Sequence, residues 1–529
     1  MASSTDDAQG IDPSLDDVAT GDAGRAANRK QIRGSSLLLV GRMIGLALDF
    51  VSQVLIVRYL EKTEYGAFAL ALSIVAIGTT ICLLGLERTV GRFAPIYQEK
   101  GDLGRMWGTI GVVVGTVLTM GLAVVLGVYA FQGAIGGVVD NELALAILLL
   151  MIVLAPLQAL DSLLIALFAT FGSARSIFFR RYVFAPVLQL TIVIALIATG
   201  SSVRVLALGY VAAAAIGIAI YTVVLLRMLR NQGLLGELRR DALRFPVREI
   251  FVFSVPLLTS DLVVVLRGSL TVILIEVLRS TAEVAEYRAV LPVAVQNLFV
   301  ATSFRFIFTP GASRLYARED RVALNDLYWQ TAVWIAILSF PLFALCVGFA
   351  EPVAVLLFGE QYRGAGAVLG VLCIGYYVNG AVGFNSLVLR VFNRVRYLVA
   401  VDLVTAVLNI LLAVLLIQQF GAVGAAIATA ATFIFQNALY QWGLKTRTWV
   451  AALDARYVRP YASIVIGTVV VVMVGQLLRP PFIAGAIFVG LVSLVVFAFN
   501  RHSLQIVDTY PELARFRLMR RLFGDPSTP

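Results

Sequence analysis

The sequence predicts an all-α polytopic membrane protein of about fourteen transmembrane helices, built as two six-helix lobes related by a pseudo-two-fold axis along the membrane normal, plus two C-terminal helices. Three observations carry the membrane class. Hydrophobic residues make up 60% of the 529 and charged residues only 14%, with a mean hydropathy of +0.89, far above soluble domains. Runs of about 20 apolar residues, enough helix to cross roughly 30 Å of hydrocarbon, recur along almost the whole chain. Unbroken stretches such as LALAILLLMIVLAPL lack the period-two alternation of a barrel strand.

Residues 1–33 hold six aspartates, then Arg25, Arg29, Lys30 and Arg33, with almost nothing apolar. They read as a disordered cytoplasmic tail, not a cleaved signal. Spans follow near 34–58, 66–86, 108–131, 143–168, 183–200, 203–226, 250–278, 288–310, 326–350, 365–389, 398–417, 421–442, 461–478 and 482–499. Counting basic residues near span ends with the adjoining loop, Arg288 among them with an outer loop, 33 of the 42 Lys and Arg fall on the side of the termini, seven on the other, and Arg42 and Arg267 within spans. Cytoplasmic loops carry the Lys/Arg excess, so both termini are expected inside a plasma membrane. Basic residues against an anionic inner leaflet also account for the net charge of +10 without nucleic acid. In the C-terminal tail, 500–529, PELARFRLMRRLF places Leu513, Phe516, Met519 and Phe523 near one face, the pattern of a helix lying flat on the membrane.

The expected lobes are residues 34–226 and 250–442, joined by a cytoplasmic linker, 227–249, and followed by helices 13 and 14 in 443–499. Glu64 and Glu283, Tyr97 and Tyr316, and Tyr221 and Tyr440 each stand 219 apart. An even number of spans per repeat makes the two copies parallel, a plan in which transporters place substrate between the halves and rock one against the other.

Cys82, Cys346 and Cys373 lie inside apolar runs and read as small core residues; with His502 as the only histidine, no metal-ligand spacing occurs and no cofactor is expected. Charge inside the spans is more telling, because a charged side chain near the bilayer centre costs about 2.5–3.5 kcal/mol on insertion scales and survives mainly facing protein or water. Arg42, Asp49 and Gln53 stand seven and four apart on one face of the first span. The seventh span carries Asp261, Arg267 and, near its outer end, Glu276; the eleventh carries Asp402 and Asn409. Structural ion pairing, for example Arg42 with Asp261, competes with a ligand-facing role. Arg92, Arg305 and Arg390 at helix ends read as topology anchors. Prolines 156, 186, 256, 292 and 341 fall within spans and bend them.

RYLEKTEYGAFALALSIV after the first span, FSVPLLTSDLVVVLRGSL in the seventh, EVAEYRAVLPVAV at the eighth and VLNILLAVLLIQQFGAVGAAIATAAT across the eleventh and twelfth resemble the polysaccharide transporter (Wzx-type) family of the multidrug/oligosaccharidyl-lipid/polysaccharide exporter superfamily. The likeness covers roughly 34–442; Ala285, where the counterpart of Gly66 is often glycine, departs from it. The resemblance implies a flippase that carries isoprenoid diphosphate-linked oligosaccharide from the cytoplasmic to the outer face, where a glycan polymerase or transferase takes it on. Arg42 and Arg267 are the expected diphosphate-gripping cations, since the guanidinium fork donates two parallel hydrogen bonds to phosphate. Asp49, Gln53, Asp261, Asn297 and Asn385 complete the expected substrate contacts, with Asp49 and Asp261 as coupling carboxylates. Gln189, Gln296, Tyr376 and Tyr377 are further polar groups suited to sugar.

A cation-coupled multidrug exporter of the same superfamily is the alternative, disfavoured by arginines where a cationic drug wants acidic groups. A membrane glycosyltransferase or polymerase would need large outer loops, and the first is only LEKTEYG. No GxxxxGK[ST] phosphate loop supports an ATP-driven pump.

Overall fold

The computed structural model describes residues 41–137, 139, 141–171, 174–234 and 243–504. The expected tail 1–33, the start of the first span and the tail helix over 511–523 lie outside the described residues. In the N-terminal half, α1 (41–59), α2 (Lys62–Leu83), α3 (Leu86–Glu99), α4 (Leu103–Ala130) and α5 (Gln132–Gly136) lead to α6 (Glu142–Met151), α7 (Leu154–Thr170) and α8 (Ala174–Ile177). A π-helical segment, Phe178–Phe184, then runs into α9 (Ala185–Thr199), and α10 (Val203–Asn231) follows. The C-terminal half comprises α11 (Val247–Leu278), α12 (Thr281–Val295), α13 (Phe299–Ala317), α14 (Arg321–Gly348), α15 (Ala350–Phe358), α16 (Ala365–Ala381), α17 (Asn385–Val391) and α18 (Val395–Arg447). The chain continues through α19 (Val458–Leu477), α20 (Phe482–Phe499) and α21 (Arg501–Leu504), with no strand among the described residues.

Eleven helical stretches are long and apolar enough to cross a membrane, and α1 and α11 are further long helices. As one rod, the 53 residues of α18 would reach roughly 80 Å at 1.5 Å per residue. Gly421 instead breaks it, with φ 56° and ψ −135°, a conformation open to glycine because it has no Cβ. The two arms fold back antiparallel: Asn409 donates to Thr432 across them at 3.2 Å.

The last span, 482–499, coincides with α20. The eighth differs at both ends, running Thr281–Ala317 through a 3-10 turn at Gln296–Leu298 instead of 288–310. Its first turns read as a polar loop because they contain Glu283, Glu286 and Arg288, but the carboxylates are partnered. Glu283 accepts the Ala422 N–H at 2.7 Å, capping the second arm of α18, and Glu286 pairs with Lys62 at 2.6 Å. Arg288, expected in an outer loop, is therefore inside a helix. Likewise Arg180, expected in an inner loop, is buried in the π-helical segment. The sequence reading also has no counterpart of α3, an amphipathic helix that continues α2 beyond a left-handed break at Leu84 and Gly85.

Helix α2 holds the halves together, packing on α6 and α7 on one side and on α11 and α12 on the other. Gly66 makes the closest crossing possible, since a Cβ there would overlap the Thr281 carbonyl. Helices α19 and α20 pack on α14, with Gly348 against Val471. The end of the bundle carrying α3, the α13–α14 turn and the α18–α19 connection is arginine-rich and is called the basic end below.

Candidate substrate cavity and gates

Arg267 lines a cavity of about 180 Å³ enclosed by α11, α12, α16 and α18. Its guanidinium donates to Thr405 Oγ1 at 2.9 Å and Gln436 Oε1 at 3.2 Å, and lies 5.7 Å from the centre of the Phe433 ring. The nearby carboxylate, Asp402, is engaged elsewhere, accepting from Gln436 Nε2 at 2.7 Å and from the Tyr440 hydroxyl. Among the described residues Arg267 has no ion-pair partner. Its hydrogen bonds are thus to neutral groups, with the Asp402 charge acting on it from across Gln436, which leaves the partly buried guanidinium's fork free of a direct carboxylate and able to gain from an anion. Tyr287, Tyr376, Asn409 and Thr432 give the cavity polar walls. Arg288 lies near enough to Tyr65, Tyr287 and Tyr376 for its charge to act on each hydroxyl. A second cation therefore borders the same region.

A separate, mostly apolar groove of about 450 Å³ lies between α1 and the α12–α13 junction with α14. Met43, Leu46 and Phe50 form one wall, Phe299, Leu338 and Leu342 others. In its floor Asn297, 1% exposed, donates to the Ala294 carbonyl at 3.0 Å, but among the described residues its own Oδ1 and the Ser339 hydroxyl lack partners.

The structure does not gather all the expected site residues. Arg42 is exposed on α1 and does not line the Arg267 cavity. Its helix turn is positioned by Gly41 and Gly45, which lie against Phe178 and Tyr182. Asp49 is exposed on the same helix, and its charge reaches Tyr210 of α10. Gln53 donates to the Tyr65 hydroxyl. Asp261 pairs not with Arg42 but with Arg88 of α3, at 2.6 Å. Asn385 lies outside both cavity and groove, donating to Asn437 at 2.9 Å and accepting the Ser386 N–H at 2.7 Å. Gln296 lines the groove and Tyr376 the cavity, whereas Tyr377 is spent in packing, stacked 3.9 Å from Phe343.

Two sets of contacts bridge the halves, one at each end. At the basic end, Arg88 meets Asp261, and the Tyr97 hydroxyl donates to Glu249 at 2.9 Å. The Arg92 guanidinium lies 4.6 Å from the Phe253 ring centre. At the opposite end Lys62 pairs with Glu286, and Asn141 donates to Thr281 at 2.9 Å. Thr281 in turn donates to buried Glu276 at 2.7 Å, so Glu276 belongs to this seal. Arg58 donates to the carbonyls of Leu356 and Leu357, tying the end of α1 to α15.

Sequence reasoning missed Arg88, Asp161, Thr405, Gln436 and Tyr287. Asp161 alone left a clear trace, a single carboxylate within LQALDSLLIALF. The others became legible only when the fold brought distant helices together.

The bundle's halves are thus latched at both ends, with arginines inside its long apolar helices. The sequence profile of the polysaccharide biosynthesis protein family matches residues 32–305, and the chain belongs to that family. Among curated relatives, an uncharacterized membrane protein of Methanocaldococcus jannaschii is 21% identical over 506 residues, 91% of this chain and 97% of that protein. The "Probable low-salt glycan biosynthesis flippase Agl15" of Haloferax volcanii is 20% identical over 408 residues, 77% of this chain and 82% of that protein. Among solved structures, the lipid II flippase MurJ in an inward closed conformation aligns with a TM-score of 0.68 at 15% identity, covering 89% of this chain and 99% of that one. An inward-facing MATE-family multidrug transporter of the MOP superfamily aligns at 0.61 and 14% identity, covering 78% and 97%.

Proposed function

We propose that the protein is a flippase that moves an isoprenoid lipid-linked oligosaccharide from the cytoplasmic to the outer face of the plasma membrane by alternating access, and that it is not an enzyme. The observation that carries this reading is Arg267, a guanidinium at membrane depth with neutral partners, lining a cavity with Arg288 close by. A diphosphate is the ligand that such a site attracts most. The apolar groove beside α1 suits the lipid tail, which stays in contact with the bilayer while the headgroup crosses. Residues 34–226 and 250–442 act as the two rocking lobes, with both termini cytoplasmic and the basic end against anionic lipid. Breaking the Arg88–Asp261 set opens the basic end; breaking the Lys62–Glu286 set opens the other.

Asp49 and Asp261 are the carboxylates placed to couple the cycle to a proton or Na⁺. Asp261 does so through its exchange with Arg88, and Asp49 from its exposed position on α1. On the outer face a glycan polymerase or transferase receives the product. The reading of a multidrug exporter is disfavoured by the same cations, which repel a cationic drug. Reconstituted vesicles decide between them. A fluorescent lipid-linked oligosaccharide should change leaflet only when the protein is present, whereas rhodamine-type cation uptake without oligosaccharide movement would overturn the assignment.

A further inference from the structure

The N-terminal half encloses a second polar cavity, of about 110 Å³, between α7, the π-helical segment with α9, and α10. Its polar lining is Gln158, Asp161, Arg180, Gln189 and Tyr210; the remainder is leucine and alanine. The backbone explains how an arginine comes to stand there. π-Helical turns are rare and recur at functional sites, and this one, Phe178–Phe184, holds Arg180 inside the bundle, 5% exposed. The guanidinium lies on Gly217, where a Cβ would come within 2.7 Å of Nη2. The rings of Phe184 and Tyr221 flank it, their centres 5.8 and 5.3 Å away. Nη2 pairs with Asp161 Oδ1 at 2.6 Å, while among the described residues Nε has no hydrogen-bond partner.

The ion pair limits what the cavity can hold. Asp161 neutralises Arg180, so an incoming anion meets a carboxylate and an incoming cation meets a guanidinium. What remains is directional: an Nε–H donor, a carboxylate oxygen, a phenol, and two amides that each donate and accept. Among the described residues, Gln158 also accepts from Thr79 at 3.2 Å. Two buried polar atoms of this set, Arg180 Nε and Asp161 Oδ1, have no hydrogen bond among the described residues; buried polar groups normally have one, so the cavity calls for a partner that both donates and accepts within a small space. Adjacent hydroxyls on a sugar ring do that, and the apolar walls suit the ring's C–H faces. Asp161 keeps 29% of its side chain accessible. The equivalent place in the other half has opposite polarity: Tyr440, 219 residues after Tyr221, donates to Asp402 where Tyr221 flanks Arg180. The two halves thus present different chemistry at matching positions.

Resting on the flippase reading, we infer that the Asp161–Arg180 cavity is a saccharide subsite that receives one uncharged, hydroxyl-rich ring of the glycan and selects among glycans, separately from the Arg267 cavity. The test uses the full-length protein in vesicles with two fluorescent carriers, an isoprenyl diphosphate without sugar and the same carrier bearing a neutral tetrasaccharide. Gln189→Leu and Tyr210→Phe remove polar atoms with little change in bulk, and Ala214→Leu fills the space. In each, flipping of the sugar-bearing carrier should fall by about tenfold, the effect of one lost buried hydrogen bond, while the sugar-free carrier keeps its wild-type rate. Equal loss on both carriers, or no loss on either, overturns the subsite and leaves the cavity structural or filled with water. A wild-type protein that moves neither carrier overturns the flippase reading instead. The subsite is then decided by calorimetric binding of the free tetrasaccharide, present in wild type and weakened in Gln189→Leu if the inference holds, absent from both if it does not.

Discussion

Arg88 and Asp261, 173 residues apart, tie the two halves together at the basic end, with Nη2 of one 2.6 Å from Oδ1 of the other. The arginine is half-exposed, and exposed ion pairs contribute only about 0–1 kcal/mol. Such a contact biases a conformational equilibrium without locking it. Arg88→Ala and Asp261→Ala should each leave thermal stability nearly unchanged and raise labelling of a cavity cysteine from the basic side. The exchanged pair Arg88→Asp with Asp261→Arg should restore wild-type labelling; failure of that rescue would remove the pair from the gate.

The opposite gate rests on Lys62–Glu286 and on the close crossing at Gly66. Gly66→Ala forces a methyl into the Thr281 carbonyl, and overpacking of this kind costs about 1–3 kcal/mol. It should hold this gate open, so that a cysteine at Leu291 becomes reactive to an impermeant maleimide from that side while flipping slows. Unchanged reactivity would show that the crossing yields without opening.

The reversal inside α18 depends on Gly421 and on Glu283, whose carboxylate accepts the Ala422 N–H. Gly421→Ala should lower stability by about 1–2 kcal/mol, because an L-residue resists positive φ. Glu283→Gln, which keeps an acceptor but loses the charge, should cost less than Glu283→Ala. Thermal unfolding in detergent orders the three.

Outside the membrane, the Arg456 guanidinium holds the Asp454 carboxyl in the α18–α19 connection down to about 2. Because the folded value lies below the ordinary value of about 3.9, this contribution to stability is complete above the ordinary value and is lost as pH falls through the folded one. Asp454→Asn should therefore flatten the acid limb of the stability curve between about pH 4 and 2 and leave its neutral region parallel to wild type. An acid limb identical in both would contradict this.

Hydropathy made most helices legible, down to the limits of α20, because a span must be apolar over nearly its whole length. It failed where charge is satisfied by tertiary contacts. Glu283 and Glu286 gave the eighth span a loop-like start because their partners, Ala422 and Lys62, are more than a hundred residues away. Arg180 read as a loop residue for the same reason, its partner Asp161 lying on another helix and its π-helical backbone leaving no trace in the sequence. Arg267 was recognisable as a membrane-depth cation from its neighbours alone. That Arg42 does not join it in the cavity was not, since helical phase fixes the face of α1 but not what that face meets.

The central claim is that Arg267 grips the anionic headgroup, and flipping of a labelled lipid-linked oligosaccharide in vesicles, normalised to folded protein, tests it most directly. Arg267→Lys keeps the charge but loses the fork, so it should retain part of the rate, while Arg267→Ala should fall by about a hundredfold, consistent with loss of a charge-assisted contact of roughly 3 kcal/mol. Near-wild-type flipping by folded Arg267→Ala would contradict the account and leave this arginine as a packing residue among Thr405, Gln436 and Phe433.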